Sequence, residues 1–346
     1  MGILVGILRV FLMLVMSVYF LSRMIPKRER YVRTDHVRLS HLKRLKAVSL
    51  SKPLSERARP RKLSEIIGQK DALSQLKAAL FGPYPKHVIL YGPPGVGKTT
   101  AARLIFREAV QSPGSPFLKD APFVEMDASL IRYDERGIAD PLIGSVHDPI
   151  YQGAGEKGLC GIPQPKEGAV TRAHGGVLFL DEIGEMHPME LNRLLKVMED
   201  RVVRLESAYY EKGMHDVDEY TKFVFENGLP ADFRLIAATT KPPGSLPSAL
   251  RSRAVEICFD DLSNAEKAEI AKSAGRRIGL CLTDILCARI GKNALNGRMC
   301  VNIVELSLGA AAADGRKTVQ NSDVEWAIRM FGHENAGKQQ KNFISR

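Results

Sequence analysis

Continuous apolar runs bounded by polar residues or glycine mark the strands that the sequence predicts. His87–Tyr91 (HVILY), Val177–Leu180 (VLFL) and Phe233–Thr240 (FRLIAATT) are short and uninterrupted, as is usual for strands buried on both faces of a parallel sheet. Good helix formers follow the first run over Thr100–Ala109, and a helical segment that follows the second continues from Leu194. This alternation of strands and helices predicts an α/β domain built on a parallel sheet.

A helical spacing replaces the strand pattern in the last part of the chain. From Ser263 to about Phe331, apolar residues recur every three or four positions, as in AEKAEIAKSAGRRIGL and MCVNIVELSLGAAAA. The pattern predicts a small all-α domain behind the α/β domain.

The N-terminus carries a different pattern. Ile3–Leu21 is an apolar run of nineteen residues with one charge, Arg9, and is long enough to cross a bilayer. The basic run from Arg23 to Lys46 would keep the following chain on the cytoplasmic side. A cleaved signal peptide is the alternative, but the run lacks a basic start and a clear A-x-A site. We therefore expect a single-pass membrane protein with its body in the cytoplasm.

The charge balance supports a body that does not bind nucleic acid. The net charge is +11, and residues 23–62 alone hold 14 Lys or Arg against three Asp or Glu. The rest of the chain is close to neutral, whereas a nucleic-acid motor would carry basic surface on its body. Five cysteines are scattered without a C-x-x-C pair, which predicts reduced thiols and neither a disulfide framework nor a zinc site.

A glycine-rich loop between the first strand and its helix is typical of phosphate binding. It has the sequence GPPGVGKT and lies between an apolar strand and a helix, as a P-loop requires. Its glycines permit backbone angles that turn successive N–H groups toward phosphate oxygens. A plain turn is the alternative, but all positions of the motif match. The predicted nucleotide-binding residues here are Gly92, Pro93, Pro94, Gly95, Val96, Gly97, Lys98, Thr99 and Thr100.

An acidic pair follows the second strand. Asp181 and Glu182 end the run GGVLFLDE. At the carboxyl end of a parallel strand, Asp181 would hold Mg²⁺ through water, the Thr99 hydroxyl would bind the same ion, and Glu182 would polarise the attacking water. Lys98 would bind the β- and γ-phosphates. An acidic helix cap is the alternative, but the order after the P-loop fits a nucleotide hydrolase that uses ATP and Mg²⁺.

Two long segments separate these motifs. Residues 133–175 are rich in Gly, Pro and His, and residues 206–230 are expected to form a second long loop. The first is more varied and more apolar than a low-complexity linker. We expect it to be a functional loop insertion.

The order of the motifs resembles the AAA+ ATPases. IIGQ, the P-loop, DE, AATT, LRSR and a helical lid follow one another. The phrases DERGIADPLIGSVHDPIYQGAG, PQPKEGAVTRAHGGVLFLDEIGEMHP and NGLPADFRLIAATT are similar to Lon-type ATP-dependent proteases, most of all to the membrane-anchored LonB branch of spore-forming bacteria. The resemblance runs from about residue 47 to about residue 332. It implies a P-loop α/β ATPase domain followed by an all-α lid.

The resemblance assigns further roles by position. Ile67 and Gly68 would contact adenine. Thr240 takes the sensor-1 position, where relatives often have Asn. Arg253 matches the arginine finger that reaches the next subunit's nucleotide, with Arg251 as the alternative. The lid's sensor-2 arginine would be Arg298, with the Asn302 position as the alternative.

A finger that acts on a neighbour implies an oligomeric ring, and the family implies six subunits. Tyr151, between glycines in HDPIYQGAG, would grip an unfolded protein chain in the central pore; ordinary packing is its alternative.

The rival functions are a DNA-acting motor that resembles RuvB and a regulatory switch ATPase. On these grounds the chain divides into a transmembrane anchor (1–22), a basic linker (23–53), the ATPase domain (54–260), the lid (261–332) and a polar tail (333–346).

The protease part of the resemblance has no visible counterpart. Lon-type proteases cut with a Ser–Lys pair on a domain after the lid, and here the lid's final helix, which ends at Phe331, is followed by a polar and basic stretch of fifteen residues, too few to bury a core. Ser307 and Ser322 fit helix-face or capping roles better than a nucleophile. We expect the chain as given to hydrolyse ATP and to cut no peptide bond, either as a truncated product or with a separate protease partner.

Overall fold

The computed structural model describes residues 11–19, 39–47, 53–131, 140–147, 163–207, 210–211 and 217–331. Two compact units divide the chain, residues 1–53 and 54–346. In the first unit, the described residues 11–19 and 39–47 are helical and exposed. No helix in the described ranges is both long and apolar enough to span a bilayer. Most of the expected anchor lies outside those ranges, and the anchor stays a prediction.

The second unit contains the predicted sheet. Its described strands are β1 (His87–Tyr91), β2 (Phe123–Asp127), β3 (Gly144–His147), β4 (Gln164–Glu167), β5 (Val177–Asp181), β6 (Val202–Val203), β7 (Leu229–Pro230), β8 (Arg234–Thr239) and β9 (Ala254–Cys258). Five of them pair in parallel in the order β2-β5-β8-β1-β9. The α/β fold with a parallel sheet is therefore confirmed.

Helices surround and follow this sheet. The described ones are α1 (Leu54–Arg57), α2 (Lys70–Phe81), α3 (Lys98–Gln111), α4 (Ala169–Arg172), α5 (Pro188–Asp200), α6 (Glu219–Asn227), α7 (Ser248–Arg251), α8 (Asn264–Arg277), α9 (Asp284–Asn293), α10 (Gly297–Ala313) and α11 (321–331).

The uninterrupted apolar character of the central strands follows from burial on both faces. In β1, Ile89 packs in one core with Leu194 of α5, while its neighbour Leu90 packs in a second core with Leu76 of α2 and Ile105 of α3. Successive strand residues point to opposite faces, so each strand contributes to both cores. A polar residue at any of these positions would be buried without a partner.

The register brings the polar ends of three strands to one edge. Tyr91 at the end of β1 pairs with Thr239 at the end of β8, and Leu180 of β5 pairs with Ala237 of β8. Because parallel strands share a carboxyl edge, the segments that follow β1, β5 and β8 meet there.

Both predicted insertions contain regular structure, which corrects the expectation of loops. In the first, β3 and β4 form an antiparallel hairpin on either side of residues 148–162, which lie outside the described residues. In the second, α6 covers 219–227, with Asp218 accepting a hydrogen bond from the Thr221 N–H (2.8 Å) and Val224 buried. One buried face and a capping carboxylate suffice for this short helix, and its apolar spacing is too brief to stand out in the sequence.

The helical lid is confirmed, and its core receives an additional element. Buried residues of α8, α9, α10 and α11 form one cluster, and Leu54 of α1 is part of it. The Leu54 N–H donates to the Glu305 carboxylate of α10 (3.0 Å). Arg277 at the end of α8 donates to the Arg59 carbonyl and to Glu65 (both 2.6 Å). The segment 54–65 is thereby bound to the lid before the chain enters the α/β domain.

Replacement of Gly168 by Ala should destabilise the hairpin's attachment to the sheet domain. A Cβ at Gly168 would lie 2.3 Å from the Leu142 carbonyl oxygen and 2.4 Å from the Gly144 nitrogen, and these backbone atoms cannot rotate away. We expect a loss of about 1–3 kcal/mol in the free energy of unfolding, as for overpacked sites. Denaturant unfolding monitored by circular dichroism measures it.

Gly244→Ala is the matched control, because a Cβ there meets nothing within 4 Å. It should change the free energy of unfolding by less than about 0.5 kcal/mol. Equal stability of the two variants would contradict the close approach at Gly168.

Candidate nucleotide-binding site

The P-loop residues 92–97 connect β1 to α3 at the shared carboxyl edge. Gly92, Gly95 and Gly97 have φ of 141°, 79° and 100°, values that side-chain-bearing residues rarely adopt. A Cβ on Gly92 would lie 2.5 Å from the Phe259 carbonyl oxygen, whereas one on Gly97 would meet nothing within 4 Å. The first residue of the loop is therefore packed against Phe259, whereas there is free space beside the last one, Gly97, where α3 begins. An open helix N-terminus of this kind suits a phosphate group.

Lys98 lies beneath this loop. Its side chain is buried, and its Nζ donates to the carbonyl oxygens of Gly92 (2.5 Å) and Pro93 (3.0 Å). Burial lowers the pKa of Lys98, and the negative charges of Glu182 and Asp181 partly oppose that shift. The ammonium thus satisfies loop carbonyls, and the same group has the charge to bind a phosphate oxygen instead.

Thr99 and Asp181 lie within hydrogen-bond distance of each other. The Thr99 hydroxyl donates to Asp181 Oδ2 (3.4 Å), and the Glu182 N–H donates to Oδ1 (3.2 Å). Burial is the main cause that raises the pKa of Asp181. A hydroxyl and a carboxylate are oxygen ligands of the kind that Mg²⁺ prefers when nucleotide phosphates and water supply the rest. These two residues therefore fit a Mg²⁺ ion held with a nucleotide.

Glu182 is held by Thr240. Both the N–H and the hydroxyl of Thr240 donate to Glu182 Oε2, at 3.2 and 3.1 Å. Glu182 itself has a φ of 51°, an uncommon value that turns the chain sharply at the end of β5. The predicted water-activating carboxylate and the predicted sensor-1 residue are thus in direct contact.

Lys241 is a supporting residue that the motifs did not indicate. Its Nζ donates to the Gly184 carbonyl oxygen (2.6 Å) and pairs with Glu185 (3.0 Å). Its own N–H donates to Thr239 Oγ1 (3.1 Å). The end of β8 and the turn after Glu182 are therefore joined at two adjacent points. The lysine directly after AATT could have drawn attention in the sequence. Its partners Gly184 and Glu185, however, lie in the turn after β5, which no local pattern links to it.

The IIGQ segment is fixed by its glutamine. Gln69 donates through Nε2 to the Asp260 carbonyl oxygen (2.6 Å) and accepts through Oε1 from the Asp260 N–H (3.0 Å). Gly68, with a φ of 71°, has so little room that a Cβ would lie 2.4 Å from a Glu266 carboxylate oxygen. Ile67 is half-buried beside it. The predicted adenine-contacting residues are therefore attached to the junction between the sheet and the lid.

The N-terminus of α10 reaches the P-loop from the lid. Asn296 caps this helix, accepting from the Met299 N–H (2.9 Å), and a Cβ on Gly95 would lie 3.0 Å from the Asn296 side chain. Arg298 stands in the first turn of this helix and is exposed, and Asn302 lies one turn further along. The sensor-2 candidates are thus on the helix that touches the loop, and Asn296 is the contact that the sequence did not reveal.

The two arginines of LRSR have separate partners. Arg253 donates to the Ala249 carbonyl oxygen (2.7 Å) and forms an ion pair with Glu199 of α5. Arg251 binds Glu256 with two hydrogen bonds, of 2.6 and 3.3 Å. In the described part of the chain, neither arginine bonds to the P-loop, Asp181 or Glu182. Tyr151, the predicted pore residue, lies outside the described residues.

The profile of a known family matches residues 88–261, which hold the P-loop, the acidic pair and LRSR. That family is described as the ATPase family associated with various cellular activities, abbreviated AAA. The chain belongs to the AAA family of ATPases. Its P-loop, Asp181 and Glu182 are therefore parts of an AAA ATPase domain.

Curated relatives of this AAA ATPase domain include a protease. The chain is 49% identical to Lon protease 2 of Bacillus subtilis over 93% of its own length, and it spans 59% of that protein's length. It is 31% identical to the transcriptional regulatory protein ZraR of Escherichia coli O157:H7 over 54% of this chain and 35% of that one. The first match confirms the predicted resemblance to Lon-type proteases.

Solved structures of other proteins share the AAA fold of this chain. The Holliday junction branch migration motor RuvB of Thermotoga maritima aligns with a TM-score of 0.52 at 21% identity, over 79% of this chain and 73% of that chain. NtrX from Brucella abortus in complex with ADP aligns with a TM-score of 0.51, also at 21% identity, over 86% of this chain and 62% of that chain. At this level of identity the likeness shows the fold alone.

Removal of the Thr240 hydroxyl should slow ATP turnover without weakening ATP binding. Thr240→Val deletes the hydroxyl that orients the Glu182 carboxylate and leaves the backbone N–H in place. We therefore expect kcat to fall by about tenfold, which is a smaller loss than removal of a general base causes. Thr240→Ser keeps the hydroxyl and should retain most of the activity. Steady-state phosphate release and fluorescent-nucleotide titration measure the two quantities. Equal turnover by Thr240→Val and the unaltered chain would contradict this role.

Proposed function

We propose that the chain is the ATP-hydrolysing motor module of a Lon-like proteolytic system, which assembles into a ring and threads unfolded polypeptide. The contact between Glu182 and Thr240, beside the Lys98, Thr99 and Asp181 group, carries the hydrolytic part of the proposal. The 49% identity to Lon protease 2 supports the polypeptide part.

The proposed hydrolysis uses the chain's own groups in sequence. Lys98 leaves the Gly92 and Pro93 carbonyls and binds the γ-phosphate, while P-loop N–H groups bind the other phosphate oxygens. Thr99 and Asp181 would hold Mg²⁺, which neutralises charge on the phosphates when bound. Glu182 takes the proton of the attacking water, and Thr240 keeps its carboxylate oriented.

Arg253 is proposed to complete the site of a neighbouring copy. Its described bonds go to Ala249 and Glu199 on its own chain, and the Glu199 pair is partly exposed. Exposed ion pairs are weak, so an anionic phosphate can compete for this guanidinium. A guanidinium fork also matches the charge spread over transferring phosphate oxygens. The site would then work only in an oligomer, and the family resemblance suggests six subunits.

The remaining parts of the proposal rest on the sequence and on the relative. The hairpin β3–β4 flanks the segment that holds Tyr151, which we propose grips the substrate chain in the pore. Residues 1–22 would attach the ring to a membrane, with the ATPase in the cytoplasm. Peptide cleavage would belong to a protease domain or a separate protease chain.

The choice of polymer tests this proposal. Unfolded casein should raise the rate of ATP hydrolysis severalfold, and double- or single-stranded DNA should not. Glu182→Gln should bind ATP normally and hydrolyse it at least ~10²-fold more slowly, because general-base positioning is lost while phosphate contacts remain. Stimulation by DNA and not by casein would favour a DNA-acting motor, and stimulation by neither would favour a switch ATPase.

Arg253 can be tested by mixing variants. Arg253→Ala should bind ATP yet lose hydrolysis by about 10³-fold, as other arginine fingers do. Mixed with Glu182→Gln, it should regain activity at interfaces where an intact arginine meets an intact site. Arg289→Ala, which removes another surface arginine paired with Glu325, is the control and should stay active alone. No recovery at any mixing ratio would rule out action between subunits.

A further inference from the structure

A tyrosine directly precedes the P-loop and is tied to a distant carboxylate. Tyr91 is the last residue of β1 and is 3% exposed, within an apolar core. Its hydroxyl donates to Glu256 Oε1 on β9 (3.1 Å). Phenylalanine would fill the same space, and burying a hydroxyl has a desolvation cost unless it makes a hydrogen bond. The hydrogen bond to Glu256 is therefore what the Tyr91 hydroxyl adds beyond the packing of its ring.

Glu256 joins this tyrosine to α7. Its two carboxylate oxygens accept from Nε and NH2 of Arg251 at 2.6 and 3.3 Å, a bidentate geometry that fixes direction as well as distance. Arg251 lowers the pKa of Glu256, and the Tyr91 hydroxyl lowers it further, while burial first and Glu256 second raise the pKa of Tyr91 to about 12. At neutral pH the group is one carboxylate between a neutral hydroxyl and a guanidinium.

Arg253 is hydrogen-bonded to the same short helix. Its N–H donates to the Leu250 carbonyl oxygen (3.1 Å), and its guanidinium donates to that of Ala249 (2.7 Å). Both acceptors belong to α7, whose last residue is Arg251. A change in the direction of the Arg251–Glu256 pair would therefore alter how Arg253 is presented.

The opposite end of the connection lies at the P-loop. The Tyr91 carbonyl accepts from the Phe259 N–H (2.8 Å), and the next carbonyl, that of Gly92, accepts from Lys98. Release of Lys98 toward a phosphate would relax Gly92, which is already confined by Phe259. A shift of Gly92 would therefore act both on Tyr91, which precedes it, and on Phe259, which directly follows β9.

We propose that Tyr91, Glu256 and Arg251 form a positioning relay, which couples the P-loop of one copy of this chain to the Arg253 that the same copy presents to the next. The proposal rests on the proposed function, in which Arg253 acts between subunits. It assigns Arg251 to the relay, and so removes it as an alternative for the residue that contacts the neighbour's nucleotide.

Tyr91→Phe tests the relay, because it removes one oxygen and keeps the ring. Hydrogen exchange of a peptide covering residues 248–256 is measured with and without a non-hydrolysable ATP analogue. In the unaltered chain the analogue should change exchange in this peptide. In Tyr91→Phe that response should be lost while affinity for the analogue stays within about twofold, and ATP turnover should fall by about fivefold or more, within the usual range of coupling between sites.

Two further variants make the result specific. Glu325→Gln breaks the Arg289–Glu325 pair on the lid and should keep both the exchange response and the turnover. Glu256→Gln should reproduce the effect of Tyr91→Phe, and it replaces that variant if Tyr91→Phe does not fold. Arg251→Lys, which keeps the charge and loses the fork, should show an intermediate response.

The outcomes separate the relay from the proposed function. An unchanged exchange response in both Tyr91→Phe and Glu256→Gln would overturn the relay while leaving the ATPase proposal intact. A normal response with much weaker nucleotide binding would also overturn it, since Tyr91 would then merely support the P-loop. Absence of ATP hydrolysis in the unaltered chain, or failure of Arg253→Ala to be complemented, would instead count against the proposed function.

Discussion

The parallel pairing of β5, β8 and β1 is the constraint on which the site depends. The pairs Leu180–Ala237 and Tyr91–Thr239 set three strand ends at one level. Each strand is buried on both faces, so a slip of one residue would turn its apolar side chains toward the wrong core. The apolar packing that holds the sheet therefore also fixes the spacing of the P-loop, Asp181 and Thr240, although of these site residues only Val96 in the P-loop belongs to a core.

Elements from distant parts of the chain also pack at this edge of the sheet, so the candidate site lies where the sheet, the lid and the IIGQ segment meet. Phe259, directly after β9, packs against the P-loop, Asn296 at the start of α10 lies against it, and Gln69 bonds the IIGQ segment to Asp260. Buried charge adds a further demand, because Lys98 and Asp181 are each shifted by burial away from their charged forms. Such groups are held in place by the surrounding fold and gain full stabilisation only from a partner of opposite charge.

The parts of the fold and site that the sequence predicted are those encoded locally. The P-loop, the acidic pair and the apolar strands each occupy one continuous stretch, so spacing alone identifies them. Gln69 and Tyr91 were different, because their partners Asp260 and Glu256 are 191 and 165 residues away, and no local pattern signals such a pair. The helix α6 was missed for a related reason: its stability comes from one capping carboxylate and one buried face, and its periodicity is short.

The attachment of segment 54–65 to the lid has a mechanical meaning. Leu54, Arg59 and Glu65 are bonded to α10 and α8, and the chain enters the sheet domain only afterwards. Tension applied to the chain ahead of residue 54 would act first on α10, through Glu305, and then on α8, through Arg277. A load on the N-terminal side would therefore be borne by the lid helices before it reaches the sheet.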